Sequence, residues 1–118
     1  MDLGGQVYHE KIMHAIILFE GNEKIGSLWI NLFCGQLDGL AVSLVLEQAY
    51  RQKYLTKPIV VTLKGRRCEE AVTNLMELKK EFPQLHVENN WDIAAKLVKD
   101  VSKKGLDDVK KRKEEKIH

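Results

Sequence analysis

The 118-residue chain has no run of about 18 apolar residues, so no segment of it reads as a membrane-spanning helix. It has only two cysteines, Cys34 and Cys68. They are too few for a disulfide scaffold and read as reduced thiols in an intracellular protein. Neither GxGxxG nor GxxxxGK(S/T) is present, so binding of a whole nucleotide has no support. The opening Met1-Asp2-Leu3-Gly4-Gly5 has neither the basic and then apolar start of a secretory signal nor the Arg- and Ser-rich start of a transit peptide. Net charge is also nearly absent, since 19 Lys/Arg stand against 17 Asp/Glu. A uniformly basic nucleic-acid-binding body is thereby excluded. The small excess is local. Residues 101–118 carry seven Lys/Arg and four Asp/Glu, a net +3, which leaves −1 for the rest. A body over 1–103 and a basic, flexible tail over 104–118 are expected, and by net charge the tail alone could attract a phosphate backbone or an acidic surface. Lys110 to Lys116 mixes signs and lacks the aromatic residues of a single-strand-binding platform.

What is present fits one soluble globular domain, with 44% hydrophobic and 31% charged residues. A chain of this length buries a core without metal or disulfide staples. Apolar residues at Tyr8, Ile12, Ala15, Ile16 and Phe19 have helical spacing, and Gly21-Asn22 ends that helix. Leu28–Phe33 is a short apolar run suited to a buried parallel strand, closed by Cys34-Gly35. Leu37, Leu40, Ala41, Leu44, Val45 and Ala49 form an amphipathic helical stripe running to about Lys53. Pro58 opens a second buried run, Ile59–Leu63, and Lys64-Gly65 closes it. A third helix carries Cys68, Ala71, Val72, Leu75, Met76 and Phe82 and stops at Pro83. Leu85–Val87 is a short strand. Asn89-Asn90 supplies an N-cap for a last helix bearing Trp91, Ala94, Ala95, Val98 and Val101. The alternation predicts an α/β fold, a parallel sheet with right-handed crossovers. Asp2–Gly5 reads as the end of a strand whose start is missing.

Ligands of open α/β sheets bind beyond the carboxyl ends of the strands. Three junctions there share one design: Leu3-Gly4-Gly5, Phe33-Cys34-Gly35 and Leu63-Lys64-Gly65. Each glycine lets the backbone turn into a helix whose first N–H groups and dipole favour an anion. Arg66 and Arg67 add positive charge at the third. Gly4, Gly5, Gly65 and Arg66 are thus candidate anion-favouring positions. Other constellations carry less. His9 and His14 are five apart, about 140° around a helix, and cannot share a metal. They read as surface or partly packed residues. His86 and His118 have no triad partner at usable spacing. Cys34 lies between a strand and a helix, where a thiol pKa can fall, but it reads as a small buried residue. Trp29 and Trp91 read as core.

Asp2-Leu3-Gly4-Gly5, Asn31-Leu32-Phe33-Cys34-Gly35, Pro58–Gly65 and Trp91-Asp92-Ile93-Ala94-Ala95 resemble the C-terminal CoA-ligase domain of the succinyl-CoA synthetase beta subunit. There the stretches read approximately L-D-x-G-G-G, N-I-F-G-G, P-V-V-V-R-L-x-G and D-L-x-x-A-A. The resemblance covers about residues 1–103. It implies a three-layer flavodoxin-like fold, a parallel sheet with helices on both faces, here lacking the family domain's first βα unit. It implies a tricarboxylic-acid-cycle ligase that joins succinate and CoA using ATP or GTP with Mg, through a phosphohistidine on an alpha subunit. By position, Gly35, Gln36 and Leu37 would face that phosphate and the succinate carboxylate. No catalytic residue, metal ligand or cofactor is expected of this chain alone. Expected partners are an alpha-type subunit or, through an open sheet edge, a second copy. The compartment implied is the mitochondrial matrix if the source is eukaryotic. Four residues depart from the family's pattern. Cys34 and Gln6 replace glycines, Thr62 replaces an arginine, and Asp38 adds negative charge just after the loop. They favour an alternative: a stand-alone, non-catalytic binding or regulatory relative, a pseudoenzyme on the same fold.

Overall fold

The computed structural model describes residues 3–34, 37–65 and 68–117, with side chains other than those of 3–8, 33–40 and 116–117. In chain order the elements are α1 (Leu3–Gly21), β1 (Leu28–Cys34), α2 (Leu37–Arg51), β2 (Ile59–Gly65), α3 (Glu69–Glu81), β3 (Leu85–Val87) and α4 (Trp91–Ile117). The three strands form one parallel sheet in the order β1-β2-β3. This is the expected α/β, flavodoxin-like arrangement. Leu28 pairs with Ile59 and Cys34 with Gly65, and Ile59 pairs with Leu85.

β2 is central, and Ile59 to Leu63 are all buried. Buried Val, Leu and Ile side chains each contribute about 1.5–3 kcal/mol over exposure. Ile59, Val61 and Leu63 join the core beneath α2 and α3, with Val45, Leu46, Leu75 and Leu78. Val60 and Thr62 point to the other face, under α4. Helices therefore cover both faces. α1 lies beside α2 and buries Ile16 and Phe19.

Three sequence expectations change. Leu3, Gly4 and Gly5 begin α1 rather than end a strand. The buried stripe of α2 is Val42, Val45, Leu46, Ala49 and Tyr50, whereas Leu44 is half exposed. Val45 and Ala49 of the expected stripe are thus buried, the face is turned toward Val42, Leu46 and Tyr50, and the side chains of Leu37 and Leu40 lie outside the described residues. Finally, residues 104–117 continue α4 without a break.

That last stretch makes contacts of its own. Arg112 donates to Thr56 Oγ1 at 2.6 Å and lies 3.6 Å from the Glu20 carboxylate, and Lys113 pairs with Glu23. Glu20 also accepts hydrogen bonds from Thr56 N, Thr56 Oγ1 and Lys57 N. Beside them Lys57, only 1% exposed, donates its ammonium to three carbonyls, those of Phe19 (2.9 Å), Asn22 (2.6 Å) and Ile25 (2.8 Å). The carbonyl end of α1 is thus capped by a cation that complements the helix dipole. Burial holds the Lys57 ammonium below its usual range, with Glu20 opposing that shift. Higher up α4, Gly105 meets Gly26 in the segment leading to β1. A Cβ on either glycine would overlap backbone, the Gly26 carbonyl in one case and the Ser102 carbonyl in the other.

Candidate functional site

Every strand runs from an amino edge, where Lys57 and the end of α4 sit, to a carboxyl edge. Helices α2, α3 and α4 start at the carboxyl edge, because each follows a strand. α1 starts there too, since its last carbonyls meet Lys57 at the opposite edge. The first N–H groups of four helices therefore point toward one end of the molecule, an arrangement that suits negative charge.

Of the sequence candidates, Leu37 is the first residue of α2 and Gly65 the last of β2. Gly65 has φ 112°, a conformation strained for any residue with a Cβ. Leu37 and Gly65 fall at the same edge, because Cys34 and Gly65 are register partners. Gly4 and Gly5 lie in the first turn of α1. Gly35, Gln36, Arg66 and Arg67 lie outside the described residues.

From the middle of the sheet toward this edge runs a polar network that pattern reading missed. Trp29 Nε1 donates to Thr62 Oγ1 at 3.1 Å, and Thr62 donates to Asn31 Oδ1 at 2.9 Å. Thr62 is 3% exposed. The sequence marked Thr62 only as a departure from the resembled pattern; its partners follow from the register, in which Asn31 and Thr62 face each other across β1 and β2. Asn89 Oδ1 accepts from Leu63 N at 3.1 Å and continues the ladder past β3. Asn90 caps α4 as expected, its Oδ1 accepting from Ile93 N at 3.1 Å. Trp91, expected in the core, is 55% exposed. Its ring rests on Trp29 with centroids 4.4 Å apart, because it opens α4 at the rim of the sheet.

Cys68 is disulfide-bonded. This corrects the reduced-thiol reading, which took the low cysteine count as its argument. His9 is half-buried and His14 exposed, on a shallow surface beside Gln48. His86 is half-buried in β3, where burial, helped by Lys79 and Lys104, holds its imidazole below the usual range. Among the described residues no group of three His, Cys, Asp or Glu is placed to hold a metal ion. Two grooves of about 400 and 390 Å³ open at the amino edge, one between Glu20 and Lys113 and one between Gln84 and Lys104. Neither adjoins the glycine junctions. No helix among the described residues is long and apolar enough to cross a membrane.

No protein-family model matches the chain. No solved structure matches it either. Curated relatives do. The chain is 32% identical over 104 residues to the ADP-forming succinate–CoA ligase beta subunit of Rubrobacter xylanophilus, covering 88% of this chain and 27% of that protein. It is a sequence relative of the succinate–CoA ligase beta subunits. The ADP-forming beta subunit of Aquifex aeolicus is 31% identical over 105 residues, with 87% of this chain and 26% of that protein covered. The GDP-forming mitochondrial beta subunit of Columba livia is 30% identical over 104 residues, with 88% and 26% covered. The chain thus spans about a quarter of the length of the succinate–CoA ligase beta subunits it matches. The family resemblance drawn from the four sequence blocks is confirmed.

Proposed function

We propose that this chain is the CoA-ligase-type domain of an acid–CoA ligase, and that it presents the N-terminus of α2 to a carboxylate or phosphate at an interface with an alpha-type subunit. The observation that carries this reading is the shared carboxyl edge. There Leu37 opens α2 beside Gly65, in a chain about 30% identical to succinate–CoA ligase beta subunits over 88% of its length. Gly35 and Gln36 would complete the anion loop with Leu37, using backbone N–H groups and no titratable side chain. Gly4, Gly5, Gly65 and Arg66 would add to the favourable field. ATP or GTP, Mg and CoA would serve the assembled enzyme, with no catalytic residue from this chain. In a eukaryotic source the compartment would be mitochondrial, as for the Columba livia relative.

Thr62 supports a second reading. It stands where the resemblance implies an arginine, and its hydroxyl is committed to Trp29 and Asn31, so this position offers an anion no charge. A non-catalytic relative that keeps the fold and its partner-facing surface fits that loss. Self-association through β1, an edge strand among the described residues, is the other partner open to it.

The test is to purify the chain, add phosphate or succinate, and follow backbone amides at residues 35–37 and 65. Millimolar shifts confined to these amides are expected. In parallel, an alpha-type subunit is added and the complex sought by sedimentation. No amide shift with either anion, and no complex, would overturn the first reading. A complex with no amide shift would select the second.

A further inference from the structure

Gln84 Oε1 is the one buried side-chain nitrogen or oxygen without a hydrogen-bond partner among the described residues. Buried acceptors are nearly always paired, so the exception points to a donor from outside the chain. The rest of the residue is fixed. Gln84 directly precedes β3, and its backbone carbonyl accepts from Ile59 N at 3.1 Å. Its side chain lines the groove of about 390 Å³ at the amino edge, a volume within the range of small-molecule sites.

The opposite wall belongs to α4. Val101, Lys104 and Asp108 stand at i, i+3 and i+7 and share one face of that helix. The Lys104 ammonium and the Asp108 carboxylate form no ion pair with each other or with any other described residue. Pro58 and Pro83 add apolar rings that bring no N–H of their own. The Thr56 hydroxyl, also in the lining, is already engaged by Glu20 and Arg112. We propose that this groove binds a free α-amino acid with an apolar side chain, such as leucine. The site goes beyond the proposed function, since it lies at the edge opposite the anion loop and shares no residue with it.

Charge selects that class. His86 lines the same groove, and burial, helped by Lys79 and Lys104, holds its imidazole below the usual range, so it is neutral at pH 7. The groove then presents one cation, Lys104, and one anion, Asp108. A simple carboxylate would pair with Lys104 but face the like charge of Asp108. A simple amine would meet the reverse. A zwitterion satisfies both, with its carboxylate on Lys104 and its ammonium on Asp108. The two side chains are rooted about 6 Å apart along the helix, and the lysine is long enough to bring its head to one end of a small ligand. The ammonium carries three N–H donors, so one remains for Gln84 Oε1 once that side chain turns into the groove. The ligand's apolar side chain lies against Pro58, Pro83 and Val101, which cannot pair with a polar one.

The full chain, isotope-labelled, is titrated with leucine while the Gln84 side-chain amide and the His86 ring are followed by NMR. Saturable shifts confined to the groove are expected, with a Kd of about 1 mM. Isocaproate, which lacks the ammonium, and isopentylamine, which lacks the carboxylate, should each bind about tenfold more weakly. Lys104→Gln alters an exposed side chain, so the fold should survive while leucine affinity falls about tenfold. Gln84→Leu separates binding from stability. It removes an unpartnered buried acceptor, so the free protein should melt a few degrees higher and yet hold leucine more weakly. No saturable shift with leucine would overturn the proposal. So would equal affinity for either analogue, or Lys104→Gln binding leucine as the parent does. Phosphate titration at residues 35–37 is a separate readout, so this groove and the anion loop stand or fall independently.

Discussion

Lys57 is the residue on which the amino edge turns. A lysine in a buried position usually pairs with a carboxylate, but this one spends its three protons on the carbonyls of Phe19, Asn22 and Ile25. Its ring contact with Phe19, 5.1 Å from ammonium to centroid, adds a cation–π attraction. Lys57→Met keeps most of the volume and removes the donors, leaving three carbonyls without this partner. The expected loss is about 3 kcal/mol of stability, measured by urea denaturation. Retained stability would mean that other donors replace the ammonium. Nothing in the sequence singled out Lys57, because a lysine before Pro58 looks like any charged residue at a strand's start. Its role depends on α1 ending nearby, which is a tertiary fact. Tyr50 belongs to the same cluster. It is buried with its hydroxyl donating to the Lys57 carbonyl at 3.2 Å, and burial, reinforced by the Glu20 charge, raises its phenol well above the usual range.

Elements were more legible than residues. The order of four helices and three strands is readable from spacing and from Gly and Pro punctuation, and Leu85–Val87 is bounded as expected. The failures have physical causes. Gly4 and Gly5 look like a turn, yet they occupy the first turn of α1. The apolar stretch of α2 is ambiguous between faces until a sheet lies beneath it. In α4 the apolar stripe fades after Val101, but Arg112 and Lys113 replace it with ion pairs to Glu20 and Glu23. Exposed pairs of this kind are individually weak, about 0–1 kcal/mol, so they position more than they stabilise. Gly105 tests the helix most sharply. In an isolated helix, glycine to alanine gains about 1 kcal/mol. Here the added methyl meets the Gly26 carbonyl, and the clash outweighs the gain. Gly105→Ala should lower stability by roughly 2–3 kcal/mol, read by thermal melting. A more stable variant would show that α4 can slide away from the segment before β1.

At the scale of the molecule, anchoring and the candidate anion site occupy opposite edges of one sheet. The charged contacts of Glu20, Thr56, Lys57 and Arg112 hold the amino edge, and the glycine junctions lie some seven residues of strand away. The candidate site was legible only as geometry. Strand-to-helix glycines marked the edge, whereas Thr62 with its two partners became visible only once β1 and β2 were in register. β1 is also open. No strand pairs with its outer edge among the described residues, and Leu28–Cys34 carries no charge or proline to discourage pairing. Large apolar side chains stand exposed nearby on α4, at Trp91 and Ile93. Association of two copies through β1 is expected at high micromolar concentration. Hydrogen exchange at residues 28–34 should slow as concentration rises. Equal exchange at low and high concentration, with a monomeric sedimentation profile, would exclude this edge as the contact.

The Gly26–Gly105 crossing has a historical consequence as well as a mechanical one. The Gly26 carbonyl blocks a methyl group at Gly105, and the Ser102 carbonyl, one turn earlier on α4, blocks one at Gly26, although the two glycines lie far apart in the chain. Any descendant that keeps α4 seated on this sheet should therefore show two quiet codons amid drifting neighbours. A lineage in which one of them changed would need the helix to have moved first.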